Sequence, residues 1–577
     1  MIIIRLLILV IWSFTTVAAF GAPTLSVKVN QQPRHSLAPM NPRFIEHINK
    51  HGSVSALNTA GLESGADTPG LGLVPEPFIL PAPSRKVSIL GELSSSLPTY
   101  YDLRTTGKLT SVKNQGSCGS CWAFAALGSI ESYLMPGEIW DFSENNMKNN
   151  HGFDYTCCYG GNRVMAAAYL ARWDGPLLET EDPYTTACIS TSGFSPKKHV
   201  QDVIFLPDRT SSTDNDAIKN AIINYGAVYT TFYWSSSYYK STTTSYYCSA
   251  SIEPNHAVCI VGWNDYYPAS NFLSTPGGDG AFLIKNSWGT SWGDVGYFWI
   301  SYYDANMGKA YSSSVSNENA VFLAGSPDEY DTQYSYDTLG LVSMVGYGSN
   351  TAWAAMVFYA DSDSVLRAAA WYALKDSTSY ELRIYESPTS KPTSGTLVTS
   401  QTGTILAAGY HTIALNTPVL LTAGTKYSCV VKLTTPGYNY PIGFEYPYAG
   451  YSSAATANSG ETYISSTGNT WTDMTSVTAN ASACLKAFAS NPVIASVRNV
   501  KAIADGSYVR LDDVVVSAIY GDCIYVQDPT IPTGIRVDAD GTSLSLGQSV
   551  TVVGTLGTYK PDGTHPAERE ITSASVY

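Results

Sequence analysis

Two cysteines three residues apart, Cys118 and Cys121 in "NQGSCGSCWAF", are the first residues in this chain whose types and spacing suggest chemistry. A C-x-x-C pair serves as a redox dithiol, as half of a zinc site, or as one disulfide cysteine beside one reactive thiol. The spacing alone leaves all three open. Phe124, Leu127, Ile130 and Leu134 then recur on one helical face until Pro136-Gly137 stops the pattern, which predicts a helix over Cys121–Leu134. Cys121 would stand at its N-terminus, where the partial positive charge favours a thiolate and lowers the thiol pKa. A thiolate needs a proton acceptor. His256 in "EPNHAVCIVGWN" opens an apolar strand, a rigid support for a ring aimed into a cleft. Asn286, in "IKNSWGTSWG", can hydrogen-bond one ring nitrogen while the other faces the sulfur, and Trp288 can shield that bond from water.

The elements that must position these groups follow from pattern. "NRVMAAAYLARWDG" reads as a second helix, and "HAVCIVGWN", "GAFLIKNSWG" and "GYFWISYYD" read as strands. Helices first and strands later predict an α+β fold for residues 97–316. Residues 20–96 are Pro-rich, with one short helix candidate at "NPRFIEHINKHG". They read as a pro-segment or linker without a core of its own. From residue 320 to 490, short strands such as "WAAMVFYAD", "YELRIYES" and "YSCVVKL" alternate with Gly/Ser/Thr/Pro turns, as in an all-β sandwich. Residues 491–577 hold about five strands with tight turns, as in a small barrel.

Composition narrows the function. The chain has 577 residues, 44% of them hydrophobic and 14% charged, with net charge −14. That is globular, and too acidic for a nucleic-acid partner. "MIIIRLLILVIWSFTTVAAF" reads as a signal peptide cut after Ala19, which leaves no stable membrane span and predicts a secreted protein. Seven of ten cysteines fall between residues 118 and 259, marking one disulfide-bearing domain.

Four blocks in order, "NQGSCGSCWAF", "CCYGGN", "NHAVCIVGWN" and "IKNSWGTSWG", make residues 97–316 resemble papain-like cysteine proteases of the C1 peptidase family. "YYDLRTTGKLTSVKNQG" resembles that family's mature N-terminus. The resemblance implies a fold with a helical half and a β half. It assigns Cys121 as nucleophile, His256 as base and then acid, and Asn286 as the group orienting His256. The Gln115 side-chain amide and the Cys121 backbone N–H would form the oxyanion hole. Gly160 and Gly161 would line the cleft and pair with an extended peptide, and Trp292 would line the leaving-group side. Cys158 matches the family cysteine bridged to the one read here as Cys118. Cys157 is proposed to pair with Cys188, a shifted version of a known bridge. A zinc site would leave the Gln, His, Asn and Trp blocks without explanation, and the reading needs no metal or cofactor. Cys259 reads as a buried free thiol, Cys248 has no evident partner, and Cys429 and Cys484 are a candidate bridge within the sandwich. Asn255 stands where relatives can carry Asp, which bears on the pH profile. No paired-histidine insertion blocks the cleft, so endopeptidase action is expected.

Residues 320–490 resemble the lectin-like β-sandwich that follows papain-like proteases in some secreted prokaryotic proteins, and residues 491–577 resemble small OB-fold barrels. Trp353, Trp371, Tyr440 and Tyr448 are candidates for stacking on sugar rings. The expectation is a secreted cysteine endopeptidase acting on protein or peptide, with the β modules targeting it to a glycan or cell-surface polymer. The rival is a carbohydrate-binding surface protein with a vestigial protease domain.

Overall fold

The helix after the C-x-x-C pair spans Cys121–Leu134, and every residue from Cys121 to Ser132 is buried. Only one apolar face was expected. The other sides are buried because small residues let strands approach: a Cβ on Gly128 would stand 3.2 Å from the Cys259 Sγ, and Ser129 Oγ donates to the Ala227 carbonyl. The one buried carboxylate on the helix, Glu131, accepts the Phe142 N–H at 3.0 Å and pairs with Lys113 Nζ at 3.3 Å.

The computed structural model describes residues 34–51, 70–81, 97–310, 318–560 and 567–577. The expected signal peptide lies outside them. The second predicted helix forms over Arg163–Ala171, capped by the Asn162 side chain on the Met165 N–H. The three predicted strands form as His256–Asn264, Ala281–Lys285 and Tyr297–Ser301, and they lie side by side in one sheet. That sheet does not end with the protease region. Strand Ala320–Gly325, which the sequence reading placed in the sandwich, pairs with His199–Phe205 and, through Ala320, with Val228–Phe232. His199–Phe205 in turn pairs with Gly409–Leu421, so four sandwich strands continue the protease sheet. A second sheet of six strands packs across from those four, around Met356, Trp371, Ile384 and Cys429. The C-terminal six-stranded sheet closes on itself through pairing of Tyr508–Ile519 with Ser549–Tyr559 and encloses its own core.

The described residues of the Pro-rich segment pack onto the rest of the chain. Strand Ser36–Leu37 adds to the edge of the sandwich strand Ser343–Gly346. Helix Pro42–His51 buries Phe44 against Tyr448 and Tyr451. Val74 and Phe78 are buried in the protease core.

Candidate active site

Ser120 precedes the long helix without a side-chain cap on it; its hydroxyl pairs instead with the Tyr184 hydroxyl at 2.6 Å. The Ala123 and Phe124 amides donate to the Ser120 carbonyl, which leaves the Trp122 N–H for the thiol at Cys121. Cys121 is a free thiol, its Sγ receiving the Ala257 N–H at 3.5 Å and further backbone N–H groups of Gly72 and Trp122. Ala257 follows His256, so the strand start that carries the ring also touches the sulfur.

His256 is fully buried, with Nε2 2.9 Å from Asn286 Oδ1. Asn286 Oδ1 also accepts the Ser287 N–H at 2.9 Å, which fixes the amide's orientation. The oxygen therefore faces the ring, Nε2 carries the proton, and Nδ1 is left as the basic nitrogen. Among the described residues Nδ1 has no hydrogen-bond partner. Trp288 stacks on the ring with centroids 4.8 Å apart, and Trp292 meets Trp288 edge-on. Sequence reasoning missed Trp234, which packs edge-on against both Trp288 and Trp292. It also missed the use of Asn255: its side chain spans the Trp234 backbone, accepting the N–H at 2.7 Å and donating to the carbonyl at 3.1 Å.

Gln115 is held on every side. Its Oε1 accepts the Ser287 hydroxyl at 2.6 Å, its backbone N–H donates to the Ser287 carbonyl, and its own carbonyl accepts the Tyr184 hydroxyl. Nε2 donates to the Cys118 carbonyl at 2.8 Å and to the Gly70 carbonyl at 2.7 Å. Ser287 and Tyr184 carried no sequence signal, although Ser287 adjoins Asn286 in a block already singled out.

The Gly70 contact belongs to a longer one. Gly161 N–H donates to the Gly72 carbonyl, and Val74 N–H donates to the Gly161 carbonyl, a parallel bridge centred on Leu73. Leu73 N–H donates to the Asn255 carbonyl beside His256. Gly160 is needed for this approach. Gly160 has φ +146°, and a Cβ there would meet the Gly72 carbonyl at 2.7 Å; a Cβ on Gly161 would overlap the Trp122 ring. Residues 70–74 therefore run across Cys121, Gln115 and Gly161, joined to the domain by one isolated bridge at Leu73.

This cover changes the electrostatics expected from the helix terminus alone. Burial pushes the Cys121 thiol up to about 11, against the backbone N–H groups that favour the thiolate. Burial also pushes the His256 imidazole down to about 4, opposed by its Asn286 bond. The lowered thiol pKa read from sequence is thus not the state of the covered site: with water excluded, desolvation outweighs the helix end and both groups are neutral.

Cys118 is bonded to Cys158, and Cys157 to Cys188, which leaves Cys121 as the unbridged member of the C-x-x-C. Cys259 is buried and free. Cys429 and Cys484 do not bridge; each is a free buried thiol in a different sheet of the sandwich region, one on Lys426–Thr434 and one beside Leu485–Ser490. Of the candidate sugar-stacking rings, Trp371 is 1% exposed in the sandwich core and unable to meet a ligand. Trp353 is nearly buried under Arg383 and Lys432, Tyr448 packs on Phe44, and Tyr440 is half-buried beside Tyr438.

Comparison with known proteins bears on both regions. Residues 97–317 match the family described as papain family cysteine protease, and residues 333–489 match the lectin-like domain family. The probable cysteine protease RD19C of Arabidopsis thaliana is 33% identical over 250 residues, which cover 41% of this chain and 64% of the relative. Cysteine proteinase 15A of Pisum sativum is 32% identical, over 38% of this chain and 62% of the relative. The chain thus spans under two thirds of the length of these curated relatives. The cysteine protease and lectin-like domains of Cwp84, a surface layer associated protein of Clostridium difficile, superpose with TM-score 0.63 at 25% identity, over 79% of this chain and 98% of that one. A second structure, a variant of the clostridial cysteine protease Cwp84 after propeptide cleavage, matches with TM-score 0.59 at 28% identity, over 68% of this chain and 99% of that one. Residues 97–317 are accordingly a papain-family cysteine protease domain, followed by a lectin-like domain and a small closed β-barrel.

Proposed function

We propose that this protein is a secreted cysteine endopeptidase, held latent by residues 70–81 and brought to a surface or polymer by its β modules. The observation that carries the reading is the orientation of His256: Nε2 is tied to Asn286 Oδ1, the basic Nδ1 is unpaired among the described residues, and Cys121 Sγ lies against the next backbone N–H. Once the covering segment leaves, water returns and the desolvation that keeps both groups neutral falls. The thiol proton then passes to Nδ1, and Asn286 holds the resulting imidazolium in place. The thiolate attacks the scissile carbonyl carbon. The oxyanion takes the Gln115 Nε2–H where the Gly70 carbonyl now sits, together with the Cys121 backbone N–H. Nδ1 returns the proton to the leaving amine, and the thioester is released by water that His256 deprotonates in turn.

The zymogen reading rests on the Gly70–Val74 contacts, which fill the places a substrate strand and its carbonyl need. The Cwp84 structure described as "after propeptide cleavage" supports removal of such a segment in a similar protein. The surface-layer association of Cwp84 and the lectin-like match support action at a cell surface with a glycan or surface polymer as ligand. Among the described residues no helix is long and apolar enough to cross a membrane. The test is hydrolysis of a denatured protein by the full chain after processing. Cys121→Ala should lower turnover by about 10⁴-fold or more; hydrolysis that survives the substitution would refute the assignment.

A further inference from the structure

The covering segment also inserts one charge into the cleft wall. Glu76 is 5% exposed, and its two carboxylate oxygens take the Arg163 Nε–H at 3.0 Å and Nη2–H at 2.9 Å. Arg163 belongs to the protease domain, two residues after the Gly161 that pairs with Leu73. It is 1% exposed and fixed independently of the covering segment: the guanidinium lies over the Phe205 ring at 3.8 Å, and Nη1 donates to the Asn319 carbonyl at 3.1 Å. Its remaining fork is the one Glu76 occupies. Such a planar, buried, bidentate fork is matched to a carboxylate rather than to a neutral side chain.

A second carboxyl stands beside it. Glu318 accepts the Arg163 backbone N–H at 3.1 Å and the Tyr229 hydroxyl at 3.3 Å. Glu318, Thr231 and Pro254 line one side of a small cavity whose other side is Leu73, Glu76 and Phe78. Burial, then the nearby Glu76 charge, drive the Glu318 carboxyl well above the usual range, so it is neutral while Glu76 holds the guanidinium. The other titratable groups facing it are Arg163 and Tyr229, with Tyr451 and Cys121 within electrostatic reach and Glu253 on the cavity wall.

We propose that Arg163 and Glu318 form a specificity subsite for an acidic substrate side chain, now filled by Glu76 as a stand-in. This rests on the peptidase reading above. Arg163 would bind a substrate glutamate as it binds Glu76, and Glu318 would tune that preference. When Glu318 ionises it supplies a competing anion to the same guanidinium, so selection for acid weakens as pH rises.

The test is a positional-scanning library of fluorogenic peptides, each position compared as Glu against Gln, with the full chain after its own processing, between pH 5 and 8. One position should favour Glu over Gln by about 10-fold or more in kcat/KM at the acid end, with the ratio falling as pH rises. Glu318→Gln should keep the preference and flatten its pH dependence, and Arg163→Met should erase it. Should Arg163→Met fail to fold, the Glu318→Gln profile decides. A Glu:Gln ratio near one at every position, with peptides still cleaved, overturns the subsite and leaves the peptidase reading intact. Cleavage of no peptide at all overturns both.

Discussion

The N-terminal segment is gripped at two places, and the grips are of different kinds. On the sandwich, Ser36–Leu37 adds two residues to a strand edge and Phe44 is buried between Tyr448 and Tyr451, with ring centroids 5.4 and 4.9 Å away. In the cleft, polar contacts join the burial of Val74 and Phe78: the Gly70 carbonyl on Gln115, the Gly72–Val74 backbone on Gly161, and Glu76 on Arg163. The first grip is mainly aromatic burial, joined by the His47 ring edge-on to Tyr155 and Tyr159. The second includes backbone pairing and buried charge around the neutral Cys121 and His256, so it depends on protonation. Acid is therefore expected to loosen the cleft contacts before the anchor on the sandwich, although Asn41 ties the two through the Glu76 and Pro77 carbonyls. On the latency proposed above, the lectin-like domain would take a part that the protease fold alone does not supply.

Breaking the anchor tests this division most strongly. Phe44→Ala removes a fully buried ring and should weaken the segment's hold by about 3–5 kcal/mol. Self-activation of the full chain, followed by mass spectrometry, should speed up while kcat/KM of the processed enzyme stays the same. An unchanged activation rate would show that the cleft grip alone keeps the chain latent.

Gln115→Ala acts at the other place and on both states. It removes the donor to the Gly70 carbonyl and, after processing, one oxyanion donor, so kcat should fall by about 100- to 1,000-fold, or about 2.7–4 kcal/mol. A loss confined to KM would mean that Gln115 only holds the segment.

The smallest effect comes from pH and belongs to the cleft grip alone. The covered His256 titrates near 4, below its ordinary 6.5, because burial disfavours the cation. A depressed imidazole pKa means the covered state binds fewer protons than the open one. Its stabilising contribution is complete above 6.5 and is lost as pH falls toward 4. One unit below 6.5 costs about 1.4 kcal/mol. Hydrogen exchange at Leu73 and Val74, corrected for intrinsic rates, should accelerate in mild acid, while exchange at Ala38, whose N–H donates to Met344 on the sandwich, should not. Equal acceleration at both places would remove the distinction between the grips.

The same contrast separates what was legible in the sequence from what was not. The helix Cys121–Leu134 could be read to its ends because apolar spacing and Pro136-Gly137 are local signals. Gln115, Cys121, His256 and Asn286 could be named because each lies in a compact block of unusual residue types. Glu76, Ser287 and Tyr184 could not, since a Glu in a Pro-rich stretch or a Ser after an Asn has no periodicity, and their roles exist only through partners 87, 172 and 69 residues away. Nor could the sheet's continuity through His411 and Asp202 be read, as strand partners over 200 residues apart leave no pattern in either strand. The thiol pKa was misjudged for the same reason: the helix end is local, and the segment that buries it is not.

The most direct measurement of the central claim is labelling with a thiol-directed peptidyl epoxide, located by mass spectrometry, on the full chain before and after processing. Cys121 should be the modified residue, slowly while residues 70–81 are in place and rapidly once they are released. Labelling at another cysteine, or none after release, would contradict the account.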